Sequence, residues 1–348
     1  MQIQEKVING FRLSPQQKRI WNLQKDSIVY RVQAAVTIEG NLKVDFLKLA
    51  IEQVINRHEI LRTSFIKPPG IKTPIQKINA QGLLFWQEID LSDRAYSEQS
   101  NQLESLYQQE RFIPWDFEQS SLLRTSLIKL SLNKSILLLN LPTICADSCS
   151  VKNLVQEISH CYSACLQSIE LSNEEVVQYL QFSEWQNELL EDTDAEFGKQ
   201  YWNKYNLSAL PKLSLPFENK LIADSAKFSI ASYECNFDSK LLAKIAAMVE
   251  EHQSSFSDFL LSCWQILLWR LTQQKSIFVG MAADGRKYEE LETVIGLITK
   301  YLPISVNLDN NLLFREVLQI VSQSVQESGE WQEYFAWENL AEFTDTDI

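Results

Sequence analysis

Very few side chains in this sequence are equipped to move a proton near neutral pH. The chain has three histidines in 348 residues. His58 sits in Arg57-His58-Glu59, and His160 directly precedes Cys161. A positioned imidazole could serve as a general base, and a thiol beside one could serve as a nucleophile. Cys145 has no histidine near it in sequence, so nothing local would lower its thiol pKa. Glu184 lies between Tyr179 and Trp185 and reads as a solvated helix residue. Cys145/Cys149 and His160-Cys161/Cys165 have the i, i+4 spacing that puts metal ligands on one helix face. Leu154, Ile158, Cys161 and Cys165, however, form one apolar stripe of helical period, which predicts a core position and no metal.

The elements that would position these groups alternate between strand and helix. Tyr30, Val32, Ala34, Val36 and Ile38 alternate as in a half-buried strand, and 45–56 follows with apolar residues at helical spacing. A helix is expected over 99–112, and strands over 122–132 and 135–141 around a turn at Asn133-Lys134. Pro142 ends the second strand, and a helix capped by Ser148 or Ser150 begins after it. Further helices are predicted over 176–190, 195–205, 239–251 and 257–272, and strands over 276–281 and 302–308 with a turn at Gly285. There is no strict βαβ rhythm and no Gly-rich phosphate loop, so an α+β fold is expected. The polar stretch Ser168–Asn173 suggests two lobes, 1–172 and 173–348.

Composition narrows the partners. Hydrophobic residues make up 45% and charged residues 22%, ordinary for a globular protein, and six cysteines suggest no disulfide framework. A net charge of −13 argues against nucleic acid and against an anionic membrane. No apolar run is long enough to span a bilayer, and the first residues lack a signal-peptide pattern, so a cytoplasmic protein is expected.

Several segments, taken in order, resemble the condensation-domain family of nonribosomal peptide synthetases. Ser14-Pro15-Gln16-Gln17-Lys18-Arg19-Ile20-Trp21-Asn22-Leu23 resembles its S-x-A-Q-x-R-L-W-x-L opening. Arg57-His58-Glu59-Ile60-Leu61-Arg62-Thr63-Ser64-Phe65 matches R-H-E-x-L-R-T-x-F. Pro114-Trp115-Asp116-Phe117 with Leu122-Leu123-Arg124 resembles P-F-D-L…L-x-R. Tyr179, Phe182 and Trp185 fit Y-x-D-F-A-V-W with Gln181 in place of its Asp; Tyr201-Trp202, Leu210-Pro211 and Leu215-Pro216 follow. Gly280, Gly285-Arg286 and Ile295-Gly296 resemble the segment that bridges the lobes.

The resemblance implies two chloramphenicol-acetyltransferase-like lobes forming a V around a central tunnel. Carrier proteins and neighbouring synthetase domains would be the partners, the carriers presenting 4'-phosphopantetheine arms, with no cofactor bound to the chain itself. The reaction implied is amide-bond formation between carrier-bound acyl or aminoacyl thioesters. The family's active-site motif is H-H-x-x-x-D-G, whose second histidine assists attack by the acceptor amine. Here the matching stretch is Pro142-Thr143-Ile144-Cys145-Ala146-Asp147-Ser148. Both histidines and the Gly are replaced, while Asp147 and the following Ser150 remain.

Proline has no titratable group, and a threonine hydroxyl is no base near neutral pH. Pro142 also argues against the family's cyclising branch, which carries D-x-x-x-x-D here. In the family the His58 segment is structural, and Arg62 is expected to pair with Asp147 beneath the degraded motif. Gly285, Arg286 and Lys300 are expected at the lobe bridge or tunnel wall, Lys300 standing where the family has an Asn. The second lobe resembles a C-terminally truncated one, which predicts an exposed apolar strip. Two functions follow: a condensation unit of impaired chemistry, using Thr143 and Asp147 at the degraded site, or a non-catalytic platform that recruits a tailoring enzyme or carrier protein. A functionless remnant is disfavoured, because the loss is confined to the histidine positions while the cores persist.

Overall fold

A computed structural model describes residues 10–24, 30–71, 73–119, 122–169, 175–204, 213–217 and 233–337. The chain opens with α1 (Pro15–Leu23), a helix that the apolar periodicity does not announce. Ser14 caps it, and Gln17 returns a side-chain bond to the cap backbone, so reciprocal capping starts a short helix whose buried residues, Pro15, Gln16 and Gln17, form no apolar stripe. Then come β1 (Arg31–Glu39), α2 (Val44–Arg57), β2 (Thr63–Ile66), β3 (Ile75–Ile78), β4 (Phe85–Asp90) and α3 (Tyr96–Glu110). β5 (Arg124–Ser131) and β6 (Lys134–Pro142) form the hairpin expected around Asn133, and α4 (Ser148–Gln167) and α5 (Tyr179–Glu191) follow.

The main sheet has the order β1-β6-β5-β4, with β4 parallel to β5 and the other neighbours antiparallel. β6 is the central apolar strand, and both of its faces are covered. Leu137, Leu139 and Leu141 pack with Ala50, Ile51 and Val54 of α2 and with Leu154 and Ile158 of α4. On the opposite face Leu138 joins Ile128 and Leu91 beneath Leu103, Leu106 and Tyr107 of α3. Burial on both sides explains why this strand reads as a continuous apolar run instead of alternating.

The chain divides into two compact units. The first takes in everything to Asp192 and also Arg286–Thr299, and the second holds Thr193–Gly285 and Lys300–Thr344. The boundary expected at 172/173 lies outside the described residues, as does Leu210-Pro211. The units differ from the contiguous lobes 1–172 and 173–348 for two reasons. Tyr179 and Phe182 of α5 are buried in the first core, and so are Leu291, Val294, Ile295, Leu297 and Ile298 of the returning segment.

In the second unit α6 (Glu196–Asn203), α7 (Ser239–Glu251), α8 (Phe256–Thr272), β7 (Ser276–Ala283), β8 (Lys300–Asn307) and α9 (Phe314–Glu330) follow in order. β7 and β8 pair antiparallel, and α8 and α9 close a core of Leu268, Trp269, Ile277, Val306, Val317 and Val321. α9 is absent from the sequence expectations, although Val317, Leu318 and Val321 are buried at helical spacing along it. The architecture is α+β, and among the described residues no helix is long and apolar enough to cross a membrane.

An exposed apolar strip lies on α8. Phe256, Leu260, Trp264 and Leu267 recur at helical spacing, and each is at least 40% exposed. Leu241 and Leu242 of α7 are exposed as well. Patches of this kind promote association. Light scattering should therefore show concentration-dependent self-association and binding of an apolar dye, both reduced by Leu260→Gln/Trp264→Gln. The double variant should melt within a few degrees of the parent, because surface changes shift stability by only about 0.5 kcal/mol. A parent that stays monomeric and dye-free at high concentration would contradict this.

Candidate active-site motif

Residues 142–148 span the end of β6 and the start of α4. Pro142 is the last residue of β6, opposite Arg31, with φ −73° and ψ 143°. That φ is what the pyrrolidine ring imposes, and a strand end tolerates the missing N–H, so proline fits here without strain. Residues Thr143–Cys145 then make one 3-10 turn. The Thr143 amide donates to the Tyr30 carbonyl at 3.0 Å. Its hydroxyl is half-buried and has no hydrogen-bond partner among the described residues. Cys145 is fully buried, and its thiol points at the Pro142 carbonyl at 3.2 Å. Burial pushes that thiol far above its ordinary range, which removes it as a nucleophile.

Asp147 turns the backbone from the 3-10 segment into α4. The sequence puts the cap at Ser148 or Ser150; the cap is Asp147, whose Oδ1 accepts from the Ser150 amide at 2.8 Å. Ser148 is exposed. The Asp147 carboxylate is saturated. Oδ1 also accepts from the Ser150 hydroxyl and from Arg286 Nη2, at 2.7 and 3.0 Å. Oδ2 accepts from Arg286 Nη1 at 2.9 Å and from the Ile298 amide, the Thr299 amide and the Thr299 hydroxyl, each at 3.0 Å. Ser150 Oγ also lies 2.7 Å from the Gly296 carbonyl, its single hydroxyl hydrogen shared between that oxygen and Oδ1, and accepts from the Gly296 amide. Burial by itself would raise the Asp147 carboxyl. The hydrogen bond and charge of Arg286, with Ser150 and Thr299, outweigh it and hold the group below the usual carboxylate range.

The expected Arg62–Asp147 pair does not form. Arg62 donates to the Asn56 and Asn79 carbonyls and lies 3.7 Å from Glu59, so it ties its own turn to the strand beyond. The carboxylate partner is Arg286, a residue expected at the lobe bridge. The side chains of the pair are 3% and 5% exposed. Gly285 just before it has φ +76°, a left-handed conformation that glycine adopts without penalty.

Gly296 is needed for a different reason: an added Cβ would fall 1.9 Å from the Tyr179 ring. That buried tyrosine hydroxyl meets Ser14 Oγ at 2.7 Å and donates to the Leu297 carbonyl at 2.9 Å. Thr299 and Tyr179 as anchors of the returning segment were missed from sequence.

The remaining candidates fall elsewhere. His58 is buried and its Nε2 meets Glu157 of α4, with Arg57 on the same carboxylate group. His160 is exposed, and Glu184 is taken up by Arg12. Among the described residues no group of three or more metal-ligating side chains converges. Lys300 is buried in the second unit, its Nζ donating to the Gln332 carbonyl at 2.8 Å. Burial pushes its pKa down to about 7, against the opposing charge of Glu333.

Two measurements test these placements. Asp147→Ala should cost about 3–5 kcal/mol, because it strands a buried guanidinium. The loss should be full above about pH 4, the ordinary carboxylate pKa, and shrink as pH falls through the lower folded value, where Asp147 itself becomes protonated. Equal melting temperatures for Asp147→Ala and the parent at neutral pH would refute the node. For Lys300 the folded pKa is the lower one, so the folded state binds fewer protons between about pH 7 and about pH 10.4. Stability from this group should rise with pH across that window, and Lys300→Met should remove the rise. Parallel stability–pH curves for parent and variant would refute that.

The family model described as "Condensation domain" matches residues 7–347. Tyrocidine synthase 3 from Brevibacillus parabrevis is 28% identical over 342 residues, covering 95% of this chain and 5% of that protein. Bacitracin synthase 3 from Bacillus licheniformis is 27% identical over 335 residues, covering 93% and 5%. The chain thus spans a small fraction of these curated relatives.

Among solved structures, the first condensation domain of the calcium-dependent antibiotic synthetase has a TM-score of 0.81 at 14% identity, covering 94% of this chain and 76% of that one. SgcC5 from Streptomyces globisporus has 0.78 at 21%, covering 94% and 75%. The X-domain from teicoplanin biosynthesis, solved in complex with OxyB, has 0.78 at 21%, covering 95% and 72%. These structures share the α+β fold, and the chain belongs to the condensation-domain family.

Proposed function

We propose that this chain handles carrier-bound acyl or aminoacyl thioesters as a condensation domain of slowed chemistry. In that reaction the acceptor amine attacks the thioester carbonyl, the C–S bond breaks, the pantetheine thiol leaves, and the amine loses a proton. The observation that supports slowed chemistry is the composition of the motif as folded. Pro142 and Thr143 offer no base, Cys145 is locked protonated, and every acceptor direction of Asp147 is engaged by Arg286, Ser150, Ile298 and Thr299. Removing a general base costs about 100- to 10,000-fold. A thioester is already activated, so holding a neutral amine against it retains the large proximity term. The Thr143 hydroxyl, which has no hydrogen-bond partner among the described residues, is the group available to orient that amine. The phosphopantetheine arms are the carriers' own, and the partners are carrier proteins and adjoining synthetase domains.

A second reading, a docking platform without chemistry, draws support from the solved pairing of a similar X-domain with OxyB. It also fits a motif that keeps its structural residues and loses its bases.

Single-turnover condensation with donor and acceptor carriers tests both. The expected result is turnover slightly above the no-enzyme background and further reduced by Thr143→Val. Its rate should climb with pH through the acceptor amine's own ionisation, about 8 for an α-amino group, with no inflection at an imidazole value near 6.5. Turnover matching a relative with both histidines overturns the slowed reading. Background turnover with intact carrier binding selects the platform.

A further inference from the structure

The 3-10 turn at Thr143–Cys145 is held by more than its own strand. Gln17 on α1 is fully buried, and its Nε2 donates to the Ile144 carbonyl at 3.1 Å. The same Nε2 donates to Gln76 Oε1 at 2.9 Å, and Gln76 in turn donates to the Arg12 carbonyl at 2.9 Å. The other end of the Gln17 amide, Oε1, accepts from the Ser14 amide at 3.0 Å and closes the cap of α1. One side chain thus uses both ends of its amide at once. It starts α1, and it grips the peptide that follows Ile144, inside the 3-10 turn that Thr143 opens. Only an amide of this length supplies an acceptor on one side and two donors on the other.

We infer that Gln17 is a positioning residue for Thr143: its bond to the Ile144 carbonyl fixes the peptide plane between Ile144 and Cys145, one residue beyond Thr143 in the same 3-10 turn, and through that turn the direction of the Thr143 hydroxyl. The inference rests on the proposed role of that hydroxyl. Its geometry is independent of whether condensation survives. The Thr143 turn has backbone bonds on its other side, from its amide to Tyr30 and from Ala146 back to the Thr143 carbonyl. Losing Gln17 therefore frees one side of the turn and leaves the turn in place.

Gln16 provides the control. It sits beside Gln17 on the same helix and is also buried, but it donates to Gln186 Oε1 and, at 3.4 Å, to the Ile298 carbonyl, with no bond to the turn. Removing it disturbs the α1–α5 packing without touching Ile144.

The experiment compares the full chain with Gln17→Met, the nearly isosteric Gln17→Glu and Gln16→Met. The first readout is the methyl resonance of Thr143 in threonine-methyl-labelled protein. The second is the single-turnover rate with saturating carriers, alongside carrier affinity. Gln17→Met and Gln17→Glu should both move the Thr143 methyl, and Gln16→Met should leave it in place. Loss of one such bond should cut the turnover in excess of background about tenfold at unchanged carrier affinity. Gln17→Glu, which turns a carboxylate toward two carbonyl oxygens, should do so at least as strongly. It serves alone if Gln17→Met does not fold.

An unmoved Thr143 methyl in a folded Gln17 variant overturns the inference. So does an equal shift in Gln16→Met, which would mean general loosening. If the methyl moves but Thr143→Val leaves the rate unchanged, Gln17 still positions the turn, and it is the proposed role of the hydroxyl that fails.

Discussion

The Asp147–Arg286 pair is the constraint on which the rest of the first unit depends. A carboxylate placed at the start of α4 answers the exposed amides of the helix, and the same carboxylate meets a buried guanidinium and two amides from a segment far along the chain. Each partner solves a problem for another. Asp147 could not be buried charged without Arg286, Arg286 could not be buried without Asp147, and the amides of Ile298 and Thr299 would otherwise lack acceptors inside the fold. Ser150 completes the node by bonding both the carboxylate and the Gly296 backbone. A single-residue loss here leaves several buried polar groups without partners at once.

The node explains why the returning segment belongs to the first unit. Leu291, Val294, Ile295, Leu297 and Ile298 bury their side chains in the first core, and the polar node sets their register. Gly296 then approaches Tyr179 more closely than any side chain would permit. Apolar burial supplies most of the attachment, and the directional bonds decide which residues face inward.

Much of this fold was legible in the residues. The hairpin of β5 and β6, the buried stripe of α4 and the helices α2, α7 and α8 follow from periodicity that local sequence carries. The structural character of His58 was legible only through the family resemblance; in the fold its Nε2 meets Glu157 of α4. Asp147 as the element that outlives its motif was visible, but its partner was not. Arg62 and Arg286 are both arginines in recognisable segments, and nothing local distinguishes a guanidinium that caps its own turn from one that crosses 139 positions to a carboxylate. Long-range pairing leaves no periodic trace. The same holds for Gln17, whose capping role lies in the spacing from Ser14 while its reach to Ile144 depends on tertiary packing.

The motif therefore contains two separable jobs that happen to be adjacent in sequence. Positions 142 and 143 end a strand and open a turn; position 147 opens a helix and anchors a distant segment. Proline satisfies the first position sterically, because the strand end already holds φ near the value its ring requires. Threonine satisfies the second because the bonds that hold the turn are made by backbone atoms, to Tyr30 and from Gln17, and are indifferent to the side chain at 143. No such freedom exists at 147, where the carboxylate itself makes the bonds. Substitution at the first two positions comes at little cost to the fold. Substitution at 147 would alter the fold before the question of chemistry arose. Proline and threonine at 142 and 143 are for that reason compatible with Asp147, Ser150 and Arg286 in full contact.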